Sequence, residues 1–161
     1  MSKETTLHFF CGKMASGKST LAKNLANKQG AILIQEDNWL SQLYPEEITD
    51  IPGYIKYSDR LKNVISGHIQ SLLSHGISVV LDFPGNTINQ RRWFRTMYEQ
   101  VNVSHLLHFV DVRDDICKKQ LKERSKGKPV GTAFTSAEEF DEITKYFEAP
   151  SEKEGFNIMR Y

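Results

Sequence analysis

Residues 12–19 read Gly-Lys-Met-Ala-Ser-Gly-Lys-Ser, which is the spacing G-x-x-x-x-G-K-[ST] of a phosphate-binding loop. Gly12 and Gly17 allow backbone angles and close approaches that a side chain would block. The N–H groups of such a loop turn inward as a concave nest for an anion. Lys18 reaches β- and γ-phosphates, the Ser19 hydroxyl is placed to ligate Mg2+, and a helix starting near Lys18 adds its positive end. The nucleotide-contacting set expected here is Gly12, Lys13, Met14, Ala15, Ser16, Gly17, Lys18, Ser19 and Thr20. Leu7–Phe10 before the loop is a short apolar strand signal, and Leu21, Ala22, Leu25 and Ala26 after it share a helix face that Gly30 ends. Strand, loop and helix are the context the motif requires.

The same alternation continues. Ala31–Gln35 reads as a strand ending in Glu36-Asp37-Asn38, and residues 38–57 read as irregular. A helix starts near Ser58 or Asp59, carries Leu61, Val64, Ile65, Ile69, Leu72 and Leu73, and stops at Gly76. Ile77–Leu81 is a third strand, with Asp82 at its end and the loop Phe83–Asn86 beyond it. Thr87 and Gln90 form a capping box for a helix with Trp93, Phe94 and Met97. Leu106–Val110 is a fourth strand, and Asp114 to Arg124 a helix with Ile116, Cys117 and Leu121. The polar stretch 125–135 follows, then a helix capped by Ser136 and Glu139, then a last strand over Phe156–Arg160. Strands alternating with helices predict an α/β fold with a parallel sheet covered on both faces, and such sheets bind ligands at the carboxyl ends of their strands. That rule singles out the phosphate loop, Asp37 and Asp82.

The length of 161 residues fits one domain, 1–161, with 125–135 as a lid. A net charge of +1 does not indicate an extended nucleic-acid surface. No apolar run approaches the length that crosses a membrane, and the polar first residues hold no signal-peptide core. Two cysteines are too few for a disulfide framework, so a reducing, cytoplasmic setting is expected.

Asp82 ends the apolar strand Val-Val-Leu-Asp, where a carboxylate associated with Mg2+ is expected beside a phosphate loop, and a turn-capping role is the alternative. Phe83 stands where many motor-type ATPases carry a water-activating Glu, which weighs against a dedicated hydrolase. Asp37 suits a base that takes the proton of an acceptor hydroxyl, the alternative being a plain turn residue, and strand alternation turns Glu36 the other way. Among the bases from Arg113 to Lys128 most fit a solvated helix face. Arg124 stands where the helix gives way to a segment with Gly127, Pro129 and Gly131, so a mobile cover there brings a positive charge onto the phosphate. Lys126 and Lys128 are weaker candidates. Arg91 and Arg92 fit either an anionic ligand or a surface pair with Glu99. The aromatics between Trp39 and Tyr57 either stack on a flat substrate or pack that segment.

The chain resembles the small P-loop kinases of the AAA-family ATP-binding protein group, whose relatives include polynucleotide kinase, chloramphenicol phosphotransferase, gluconate kinase and zeta-toxin-like kinases. The likeness lies in Cys-Gly-Lys-Met-Ala-Ser-Gly-Lys-Ser-Thr, Asp37, the run from Val79 to Arg92, Val-Asp-Val-Arg-Asp-Asp with its basic helix, and the run from Phe147 to Phe156. It implies a P-loop NTPase three-layer sandwich, with a five-stranded parallel sheet of order 2-3-1-4-5 and a lid. It also implies Asp37 as general base, Lys18 and Ser19 on the phosphates and Mg2+, Arg124 as a lid arginine, and 147–155 beside the nucleotide base. One helical turn before Arg124, where relatives commonly carry arginine, stands Gln120. The implied activity is Mg2+-dependent transfer of phosphate from ATP, with GTP left open, to a hydroxyl of a small molecule or of a nucleotide or nucleic-acid end. The alternatives are an NTP hydrolase and a nucleotide-binding regulatory module.

Overall fold

The middle strand of the sheet is apolar on both sides, and that dictates the layers. In β1 (Thr6–Cys11), five consecutive residues from Leu7 to Cys11 are buried, so neither face is left to water. The computed structural model describes residues 4–161. The other strands are β2 (Ile32–Gln35), β3 (Val79–Asp82), β4 (Ser104–Phe109) and β5 (Ile158–Arg160). All neighbours are parallel, in the order β2-β3-β1-β4-β5. The order expected from the resemblance is the order observed.

Successive side chains divide between the faces. Leu7, Phe9 and Cys11 join Val79, Leu81, Leu107 and Phe109 in the larger core, under α3 (Ile51–Ser74) and α4 (Ile88–Gln100). Phe10 and Val80 meet Ala22 and Ala26 of α1 (Lys18–Gln29) on the opposite face. A third cluster, Cys117, Leu121 and Phe140, joins α5 (Asp114–Arg124) to α6 (Ala137–Thr144) and takes Met14 and Ala15 of the phosphate loop against it. Both cysteines are buried free thiols, and burial pushes Cys11 up to about 11.

Residues 38–57 are irregular only over 44–50. A helix, α2 (Glu36–Leu43), begins where β2 stops, and α3 begins at Ile51, well before the expected start. Pro52 lies in the first turn, where its missing N–H costs nothing, and Asp50 caps the helix by accepting from Gly53 N at 2.8 Å. Tyr44, Tyr54 and Tyr57 therefore pack against the core, while Trp39 is exposed. Val64 is off the buried stripe of α3 and 80% exposed, because Leu61, Ile65, Ile69 and Leu73 already fill the inward arc.

Gly85 closes the β3–α4 connection against the sheet. A Cβ there would lie 2.2 Å from the Phe10 carbonyl oxygen and 2.9 Å from the Phe94 ring. The backbone oxygen cannot swing away, so Gly85→Ala is expected to lower unfolding stability by about 3 kcal/mol. The check is chemical denaturation of the two proteins side by side.

Candidate active site

Three strand ends and the end of α5 converge on the loop. The turn from β1 into α1 passes through Ala15 (φ 62) and Gly17 (φ 102), both left-handed, and this winds the loop into a cup. The Lys18 ammonium folds back and donates to the carbonyls of Gly12 and, at 3.3 Å, Lys13. Burial pushes its pKa down, and Asp82, Cys11 and Asp37 oppose that shift. Ser16 Oγ is the one buried side-chain polar atom among the described residues with no partner. An orphaned hydroxyl inside a ring of backbone N–H groups is the donor set that phosphate oxygens satisfy.

Ser19 Oγ donates to Asp82 Oδ2 at 2.7 Å, and Gln35 Nε2 donates to the same oxygen at 3.2 Å. Ser19 and Asp82, expected as a pair from sequence, are thus brought into contact, and Gln35 was missed. Among the described residues no three His, Cys, Asp or Glu side chains gather as a metal cage. One carboxylate and one hydroxyl beside a phosphate cup fit Mg2+, which keeps waters and phosphate oxygens as its other ligands.

Asp37 stands in the first turn of α2, open to solvent but closely surrounded. Its pKa is raised by desolvation and then by the Asp82 charge, while Arg124, Lys18 and Lys128 pull it down. Arg124 is exposed at the end of α5, and among the described residues it makes no ion pair. Its charge reaches both Lys18 and Asp37. Gln120, one turn earlier, is also exposed. Lys126 is turned aside to Glu123 at 3.0 Å, whereas Lys128 is exposed and its charge acts on Asp37.

Two other loop residues point elsewhere. Lys13 pairs with Asp114 at 2.6 Å and lies 5.0 Å over the Phe147 ring, and Met14 packs on α5 and α6. Thr20 is exposed on α1.

Arg91 is paired with Glu154 and not with Glu99. It is fully buried, with Nε 2.8 Å from Glu154 Oε1, Nη2 3.2 Å from Glu154 Oε2 and Nη1 2.9 Å from Gly85 O. Arg95 takes Glu99 instead, at 3.5 Å, and Arg92 donates to Asn89. Arg91 therefore braces the 147–155 segment against α4. Asn86 was missed as a brace of the loop. Its Oδ1 accepts from Gly12 N at 2.8 Å, its N donates to Gln90 Oε1, and its O accepts from Glu148 N. The Thr87/Gln90 cap points to this turn but not to the long-range bond.

A family model described as an AAA domain matches residues 7–150, and the chain belongs to that family. No curated protein matches it. Among solved structures, the fold is similar to that of a protein from Chloroflexus aurantiacus, with TM-score 0.76 and 14% identity over 98% of this chain and 88% of that one. It is also similar to a sugar kinase from a Janibacter species, with TM-score 0.64 and 13% identity over 99% and 85%. Shikimate kinase from Acinetobacter baumannii matches with TM-score 0.59 and 15% identity over 89% and 76%.

The raised Asp37 carboxyl makes a test of its surroundings. A carboxyl whose folded pKa exceeds its unfolded one binds more protons when folded, so stability falls as pH rises through that interval. Asp37→Asn removes the penalty. The variant is expected to unfold at a higher urea concentration than wild type at neutral pH. The difference should vanish on acidification below the ordinary aspartate pKa of about 4. Urea midpoints across the pH range measure it.

Proposed function

We propose that this AAA-domain protein is a Mg2+-dependent kinase that moves the terminal phosphoryl group of ATP to a hydroxyl of a small molecule or of a nucleotide or nucleic-acid end. The observation that carries this reading is Asp37. A carboxylate with raised pKa stands across from the phosphate cup, within reach of the charges of Lys18 and Arg124. A hydrolase needs no such group there, and the position after Asp82, where one would expect a base for water, is the buried Phe83. The solved sugar kinase and shikimate kinase share the fold, which agrees with the reading without naming an acceptor.

In the proposed reaction the N–H groups of residues 13–20 that the loop leaves unpaired hold the triphosphate, Gly12 N being taken by Asn86. The Lys18 ammonium leaves the Gly12 and Lys13 carbonyls to pair with phosphate oxygens, and Ser16 Oγ donates to another. Ser19 and Asp82 would hold Mg2+, which supplies charge neutralisation across the phosphates. Asp37 accepts the proton of the acceptor hydroxyl and orients that oxygen in line with the phosphorus. Arg124 moves with segment 125–135 over the transferring group, stabilising the charge that spreads on its oxygens and excluding water. The whole chain works as one domain with that segment as its lid. Among the described residues no helix is long and apolar enough to cross a membrane, and a cytoplasmic enzyme is the setting we infer.

The test is transfer from γ-labelled ATP to nucleosides, 5′-hydroxyl oligonucleotides, sugar acids and hydroxyl-bearing antibiotics. Label on one class is expected with wild type. Lys18→Ala is expected to lose about 10³-fold or more in turnover. Asp37→Asn should keep ATP affinity and lose roughly 10²- to 10⁴-fold in transfer. Release of free phosphate alone, at a rate no acceptor changes, would replace the kinase reading with hydrolysis.

A further inference from the structure

One buried carboxylate has no part in this chemistry. Glu36 precedes Asp37 and is 1% exposed. Its oxygens accept from the Tyr54 hydroxyl and, at 2.7 Å, from Ser58 Oγ, both on the first turns of α3. A carboxylate so deeply buried is tolerated only when bonded in this way, and the bonds fix where the Tyr54 ring stands.

Against that ring lies Phe134, edge-on, with centroids 6.0 Å apart and planes at 70°. Phe134 closes the segment between α5 and α6 with a left-handed backbone, φ 61, which a bulky side chain holds only when its surroundings impose it. Glu139 imposes it. Its Oε2 accepts from Phe134 N at 2.7 Å, and its Oε1 accepts from Thr135 N at 3.1 Å and Ser136 N at 3.3 Å. Ser136 Oγ in turn accepts from Glu139 N. One ring belongs to the sheet-bound body and the other to the lid, and a glutamate pins each.

We propose that Phe134 and Tyr54 form an aromatic latch that seats segment 125–135 over the acceptor side of the cleft, with Glu139 and Glu36 aiming the two rings. All four are positioning residues, since none touches the reacting atoms. What the seated segment covers rests on the kinase reading, whereas the ring contact and the bonds that aim it do not depend on that reading. Arg124 and Lys128 lie on the chain just before the latch, and the charges of both act on Asp37. Seating Phe134 on Tyr54 therefore fixes both cations near the place where hydroxyl and phosphoryl meet, and narrows the path for water. The bonded cluster that supports the latch also anchors the turn that carries Asp37.

The experiment is amide hydrogen exchange of residues 125–135 in the full chain, with and without Mg2+ and ATP. Phe134→Ala and Tyr54→Ala are each expected to quicken exchange of the segment about three- to tenfold, the scale of one lost aromatic pair. The double variant should exchange no faster than either single one, because both remove the same contact. Tyr54→Phe keeps the ring but frees it from Glu36, and should fall between wild type and Tyr54→Ala, with a lower unfolding midpoint because buried Glu36 loses one of its bonds. Phe134→Gly relieves the backbone strain yet loses the ring, so faster exchange is again expected; slower exchange would mean that strain, not the contact, governs the segment. In turnover the signature is a higher acceptor KM with the ATP KM within about twofold. Unchanged exchange in Phe134→Ala, or additive effects in the double variant, overturns the latch. Should wild type fail to bind ATP, the kinase reading falls and exchange without nucleotide still decides the latch.

Discussion

At Gly12 the backbone has no room for a side chain. A Cβ would lie 2.7 Å from Ser16 Oγ and 3.0 Å from the Val110 carbonyl oxygen. The loop curls back over the ends of β1 and β4 only because that space is empty. Asn86 then holds the Gly12 N–H from the β3 side, and Lys18 holds its carbonyl from within. With the cup closed at this point, α1 starts in the direction that puts Ser19 against Asp82.

Apart from the bonds that Ser19 and Gln35 give Asp82, the charged groups gathered there are not paired with one another. Burial and the Asp82 charge raise the cost of ionising Asp37, and Lys18 is desolvated. Arg124 and Lys128 stand at the rim without ion-pair partners among the described residues. Some cations away from the cleft are paired, as with Arg91 and Glu154 or Lys118 and Asp141. Unspent charge concentrated at one edge of a parallel sheet is what a polyanionic ligand with a divalent ion would complete. The α5–α6 unit rests on Met14 and Ala15, so the helix that carries Arg124 packs directly on the phosphate loop.

The sequence was most legible where chemistry depends on neighbours along the chain. Ser19, Lys18 and the glycines follow from one motif, and Asp37 and Asp82 follow from apolar runs that end in acid. The capping pairs Thr87/Gln90 and Ser136/Glu139 located two helix starts for the same reason. It was least legible between residues 38 and 57, where turn-forming residues, Pro52 and Gly53 among them, hid a helix that Asp50 begins. Val64 failed because a period marks positions within a turn or so, whereas the neighbouring layer decides which flank is covered.

By itself the sequence determined the alternation of strand and helix, the phosphate loop and the acids at the strand ends, because each is set by spacing of a few residues. Only the tertiary structure decided which charges are structural and which remain available. Arg91 reads like its neighbour Arg92, yet it is buried on Glu154, and Glu36, which alternation only turns away from Asp37, is sealed beneath Tyr54 and Ser58. Burial and pairing depend on residues tens of positions apart, and no local pattern encodes them. The meeting of Phe134 with Tyr54 is of that kind, since it requires the chain to return across the sheet before the two rings can touch.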